Sequence, residues 1–260
     1  MKKPGIILFA YAIAISSQTV LSRFDWYRDL YSLFPFYIPE SIKTLLGVLL
    51  CSIVARAMFG PGDHFALGRR SLSGLNFGFL CSLPMLIAFS FTRTVHVADP
   101  VAVIFLAGLF PLAEEILSRG FAFRLLYHQQ GWPLWPAVAV VALITGAVHI
   151  EKGQTAEQIL ALFAVTGLGG ALFSWLLARW KSLWFPFALH MSMNLWWEVF
   201  TVSRTALGGW FAFSLQIACV VVSIIATVRL TPAPVRRVHP GTSNGSTNDT
   251  SLLRKIVVTA

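Results

Sequence analysis

Eight apolar runs, each close to the length needed to cross a bilayer, fill most of this chain: about 5–22, 43–59, 72–92, 101–127, 133–150, 157–178, 183–203 and 209–228. A hydrocarbon core about 30 Å thick takes roughly 20 apolar residues as a helix. Lipid offers a backbone no hydrogen-bond partner, so a chain with this many such runs satisfies its amides within helices. Only 12% of the residues are charged and 56% are hydrophobic, well away from the roughly 25% charged of a soluble domain. The expected fold is therefore all-α, a polytopic membrane helical bundle of about eight transmembrane helices. It occupies residues 1–230, and the informative polar residues crowd into about 101–202. From 231 to 260 Pro, Thr, Ser, Asn and Gly take over, too polar to bury a core, and a disordered cytoplasmic tail is expected. The run at 43–59 is short and carries Arg56, which makes it the weakest of the eight. The first opens on Lys2 and Lys3 like a signal peptide, but no small-residue cleavage site closes it, and it reads as a retained helix.

The net charge of +9 reads first as topology. With a cytoplasmic amino terminus and eight crossings, the inner side receives twelve Lys and Arg, among them Lys2, Lys3, Arg69, Arg70, Arg179, Lys181, Arg236 and Arg237. The outer side receives six: Arg23, Arg28, Lys43, Arg93, Lys152 and Arg204. That bias places both termini in the cytoplasm. The basic residues flank spans instead of forming a basic domain, so the bilayer is the expected partner and nucleic acid is not. Cys51, Cys81 and Cys219 lie singly in apolar runs and read as packing residues.

Within the run 101–127, Glu114 and Glu115 stand side by side and Arg119 follows. An ionisable group at bilayer depth costs roughly 2.5–3.5 kcal/mol or more and marks a functional site by default. At about 100° per residue Glu115 and Arg119 lie about 40° apart on one face, whereas Glu114 and Arg119 lie about 140° apart. Glu115 can be neutralised by Arg119 and Glu114 cannot, which leaves one carboxylate for chemistry with partners from other helices. The deep polar residues elsewhere supply them: His149 near the end of the fifth run, and His190 with Asn194 one turn apart in the seventh. Counted along helices begun at Pro136 and Arg179, the two histidines can meet Glu114 near mid-bilayer. One free Glu, two His and an Asn on three helices suit the activation of a water. Arg124, Glu157 and Glu198 read as interfacial, their long side chains reaching toward the membrane surface.

The ordered set Glu114-Glu115-Ile-Leu-Ser-Arg119, then His149, then His190-x-x-x-Asn194 resembles the three motifs of the CPBP family, the CAAX prenyl protease and bacteriocin-processing (Abi-type) intramembrane proteases. The resemblance covers roughly 101–202. It implies an intramembrane endopeptidase in which Glu114 and His149 activate water, His190 and Asn194 act as oxyanion donors, and Glu115 and Arg119 support the site. One departure is Thr145, which stands four residues before His149 where the family commonly has Phe. A metal-free mechanism is preferred. The alternative is a zinc ion held by Glu114, His149 and His190, the His₂Glu donor set of soluble metalloproteases, although no HExxH helix signature is present. The implied substrate is a membrane-associated or lipid-modified peptide or protein, and the amino-terminal Lys-Lys suggests a bacterial plasma membrane. Two other readings compete. Buried Glu and His also build proton relays in transporters, but no internal repeat is evident; an inert immunity or receptor protein could use the same scaffold.

Overall fold

The computed structural model describes residues 3–68, 70–150, 153, 155–200, 202 and 208–232. All eight apolar runs form helices. They are α1 (Lys3–Leu21), α3 (Tyr37–Phe59), the pair α4 (Ser71–Cys81) and α5 (Leu83–Thr92), α6 (Pro100–Gln129), α7 (Leu134–His149), α8 (Ala156–Trp180), α9 (Trp184–Val199) and α10 (Gly209–Leu230). A short helix α2 (Asp25–Leu33) sits between α1 and α3. Among the described residues the only β-type pairing is a single bridge between Val95 and Phe200. The protein is a helical polytopic membrane bundle, with the tail from 233 onward lying outside the described residues.

The expected count of eight crossings is not confirmed. By length and hydropathy four helices can span a membrane, namely α3, α6, α8 and α10, and five if α4 and α5, bent by 45° at Ser82, make one broken span. α7 and the stretch Lys3–Ser16 of α1 are apolar but shorter, and α9 has 16 residues. The run read as weakest becomes a 23-residue helix of spanning length, because it begins six residues earlier, at Tyr37. Lys43 is not a surface residue of a loop. It is 7% exposed inside α3, paired with Glu40 at 2.8 Å and set over the ring of Tyr27 from α2. On α2 the polar residues Asp25, Arg28, Asp29 and Ser32 share one sector, Tyr27 is buried against α3, and Trp26 and Leu33 stay bare. Such a three-sided short helix suits the membrane interface.

Helix ends are set locally. The Asp99 carboxylate accepts from the amides of Val101 and Ala102 and Pro100 takes the first position, which starts α6. Thr155 caps α8 through the amide of Gln158. α6 is not uniformly α-helical. It winds in the wider π register over Phe105–Leu109, Ile116–Phe123 and Leu125–Gln129, with an α segment Phe110–Glu115 between the first two. π turns are rare and concentrate at functional sites.

Small residues bring helices close enough to place the site. Gly74 and Gly78 of α4 face α9 so closely that a Cβ on Gly78 would lie 2.2 Å from the Ala188 carbonyl carbon, and one on Gly74 2.6 Å from the Trp184 Cβ. Gly146 lets α7 meet α8 at the Phe163 carbonyl. This is the small-xxx-small contact by which membrane helices pack without a hydrophobic driving force. A buried core of Ile7, Tyr11, Cys51, Phe121, Phe123, Leu126 and their neighbours locks α1, α3, α6 and α7 together.

Candidate active site

The polar residues singled out from α6, α7 and α9 converge. Glu114 and Glu115 close the α-helical segment of α6, immediately before the π segment Ile116–Phe123. His149 is the last residue of α7 and His190 lies in the second turn of α9. His149 Nε2 faces Glu114 Oε1 at 4.0 Å and His190 Nε2 faces Glu114 Oε2 at 3.9 Å. All three side chains are about one-fifth exposed and line one cavity of about 140 Å³. Its remaining wall includes Tyr11, Ser118, Arg119, Thr145, Gly169 and Phe173.

Glu115 differs from its neighbour. It is fully buried, and its Oε1 takes Arg119 Nη1 at 3.3 Å, the pairing expected from their spacing. The same oxygen also receives His190 Nδ1 at 3.1 Å, which the sequence does not reveal because the partner lies 75 residues away. His190 therefore bridges the two glutamates, one ring nitrogen to each. Its ring stacks on Phe173 at 5.2 Å, and Phe173 also carries the Arg119 guanidinium at 5.4 Å. Glu115 Oε2 and Arg119 Nε are buried polar atoms with no hydrogen bond among the described residues.

His149 is oriented by its own helix, since Nδ1 sits 2.8 Å from the Thr145 carbonyl. A carbonyl only accepts, so Nδ1 carries a proton, and in the neutral tautomer Nε2 presents its lone pair toward Glu114. Thr145, the departure from the family pattern, lines the cavity and donates its hydroxyl to the Val141 carbonyl. α8 packs closely against it, since a Cβ on Gly170 would lie 3.2 Å from both Thr145 Cβ and Arg119 Nη2. Asn194 is not brought into the cavity. Its amide lies 3.4 Å from the Leu106 carbonyl in the first π segment of α6. Arg124, read as an interfacial side chain, donates to the Asp63 carbonyl at 2.5 Å.

The three-ligand zinc set can be tested on geometry. Zinc at about 2.0–2.2 Å from nitrogen and oxygen in a near-tetrahedral site needs neighbouring donors somewhat closer to one another than the 3.9 and 4.0 Å separations here. Among the described residues no group of three His, Cys, Asp or Glu side chains is arranged to hold a metal ion.

A buried ion pair and a second carboxylate facing two imidazoles thus meet at one cavity between the helices. Residues 96–196 match the family described as type II CAAX prenyl endopeptidase Rce1-like. The matched segment holds Glu114, Glu115, Arg119, His149, His190 and Asn194. The match covers less than half of the chain and leaves out α1 to α5 and α10. Comparison with curated proteins and with solved structures gives no match.

Proposed function

We propose that this protein is an intramembrane endopeptidase that hydrolyses a peptide bond in a membrane-associated or lipid-modified peptide or protein, with Glu114 as general base. The observation that carries the reading is the pair of 4.0 and 3.9 Å gaps from the Glu114 carboxylate to His149 and His190. Both are too long for a direct hydrogen bond and suit a bridging water, and the cavity has room for several.

A water between Glu114 Oε1 and His149 Nε2 meets two acceptors. It spends both hydrogens on them and turns its lone pairs toward the cavity. Attack on a scissile carbonyl forms the carbon–oxygen bond, the water proton passes to Glu114, and the carbonyl electrons become an oxyanion. His190 can donate to that oxyanion only through Nε2, because Nδ1 is committed to Glu115, and it does so when the ring carries both protons. A donor of this kind contributes about 2.7–4 kcal/mol. Collapse breaks the carbon–nitrogen bond, Glu114 returns its proton to the departing nitrogen, and the products are a carboxyl and an amine. Glu115 and Arg119 hold the His190 ring in place. Asn194 serves as a second oxyanion donor only after its amide leaves the Leu106 carbonyl; in its present rotamer it tethers α9 to α6.

Substrate would reach the cavity from the bilayer, and a cytoplasmic placing of both termini holds for an even number of crossings. The test is cleavage of a lipidated peptide by protein reconstituted in vesicles. Glu114→Gln should lower turnover about 10²-fold or more while the protein stays folded, and membrane-associated peptides from cells carrying wild type or Glu114→Gln identify the natural substrate. Turnover near wild type in Glu114→Gln removes this residue from the mechanism.

A further inference from the structure

Tyr11 belongs to α1, far outside the segment that carries the family's motifs, yet it is one of the residues lining the catalytic cavity. Its side chain is fully buried. Its hydroxyl donates to Ser118 Oγ at 2.8 Å, a bond between buried groups 107 residues apart. Ser118 lies in the π segment Ile116–Phe123, four residues after Glu114 and three after Glu115, so it shares the cavity face of α6 with Glu114. The i→i+5 bonds of a π segment are less favourable than those of an α-helix and its register is held from outside. Two polar contacts are among those that hold this one near the glutamates. Glu115 with Arg119 ties the segment to its own preceding turn, and Tyr11 with Ser118 ties it to another helix.

We propose that Tyr11 is a positioning residue of the active site: through Ser118 it holds the π register of α6 that aims Glu114 at His149 and His190. The inference rests on the endopeptidase reading for its effect on turnover, but the pin itself does not. The motif-bearing helices are thus incomplete without α1, and Tyr11 touches the carboxylate's helix without taking part in bond making.

The experiment compares wild type, Tyr11→Phe, Ser118→Ala and the double variant, full-length in lipid nanodiscs. Removing the hydroxyl keeps the ring and its packing. Hydrogen exchange of the amides of residues 116–123 should rise in Tyr11→Phe while that of α8 and α10 is unchanged. With a cleavable lipidated peptide, kcat should fall about tenfold, the equivalent of one buried hydrogen bond, with KM within about twofold. Ser118→Ala should reproduce the loss and the double variant should add nothing to it. Unchanged exchange in residues 116–123, or additive losses in the double variant, overturn the proposal. Increased local exchange in Tyr11→Phe, where even the wild-type protein cleaves nothing, supports the pin and refutes the endopeptidase reading instead.

Discussion

Removing the Arg119 guanidinium is the sharpest probe of how the two glutamates divide their work. Glu115 is fully buried and one of its oxygens already lacks a hydrogen bond among the described residues. Arg119→Ala leaves that carboxylate with His190 Nδ1 as its remaining polar contact at 3.1 Å. Breaking a buried pair from one side costs about 3–5 kcal/mol. Loss of the guanidinium from the Phe173 face adds about 0.5–2 kcal/mol, and His190 takes back part of the charge. A net loss of about 3 kcal/mol follows, which for a chain of this size lowers the unfolding midpoint by roughly 6–12 °C. Glu114→Gln should shift it by no more than about 2 °C, because that carboxylate is one-fifth exposed and its imidazole neighbours stand beyond direct hydrogen-bond reach. Replacing both partners, Glu115→Gln with Arg119→Met, should recover more than half of the loss, since no unpaired charge remains. Thermal unfolding in detergent, followed by tryptophan fluorescence, reads all four proteins. The reasoning fails if Arg119→Ala unfolds within 2 °C of wild type or if Glu114→Gln falls as far.

Three further outcomes are expected. Purified protein should carry no stoichiometric zinc and should keep its activity in a strong chelator; about one zinc per chain, with activity lost on chelation and restored by metal, would replace the water-activation step proposed here. Gly78→Leu should abolish folding or expression, because the added Cβ lies 2.2 Å from the α9 backbone, and a wild-type melting curve would show that α4 and α9 do not meet there. On the loop after α3, burial pushes the Asp63 carboxyl up, but the amides of Gly68 and Leu67 and the charge of Arg124 outweigh it and hold the group below its ordinary value. Its contribution is therefore present above the ordinary carboxylate value and is lost as pH falls through the lower, folded value. Asp63→Asn should flatten the acid side of the stability–pH curve, and an unchanged curve would refute the assignment.

The helices were legible wherever apolar length alone defines them, which is why all eight runs reappear. α2 is too short to stand out by apolar length, and the spacing of Trp26, Tyr27, Leu30, Tyr31 and Leu33 is its signal in the sequence. The Glu115–Arg119 pair was readable because it is local. The second contact of Glu115, with His190, and the hydroxyl of Tyr11 on Ser118 depend on how distant helices pack, and no periodicity encodes them. Asn194 sits one turn from His190 as its spacing requires, yet spacing does not fix a rotamer, and its amide turns to Leu106. The π turns of α6 leave no mark in hydropathy, so the 100° wheel holds over Phe110–Glu115 and only loosely before and after it.

A π turn is an α turn with one residue added, and this gives α6 an unusual sensitivity to chain length. Deleting one residue between Gly120 and Phe123 would turn π into α and keep both flanks on their faces, whereas the same deletion in the α segment Phe110–Glu115 has no added residue to give up and would swing everything beyond by about 100°. Arg124 would lose the Asp63 carbonyl, and Leu125 and Leu126 would leave the core they now fill. Substitution surveys do not sample that coordinate. Insertion and deletion scanning along α6 does, and it should find a sharp boundary of tolerance between the two segments.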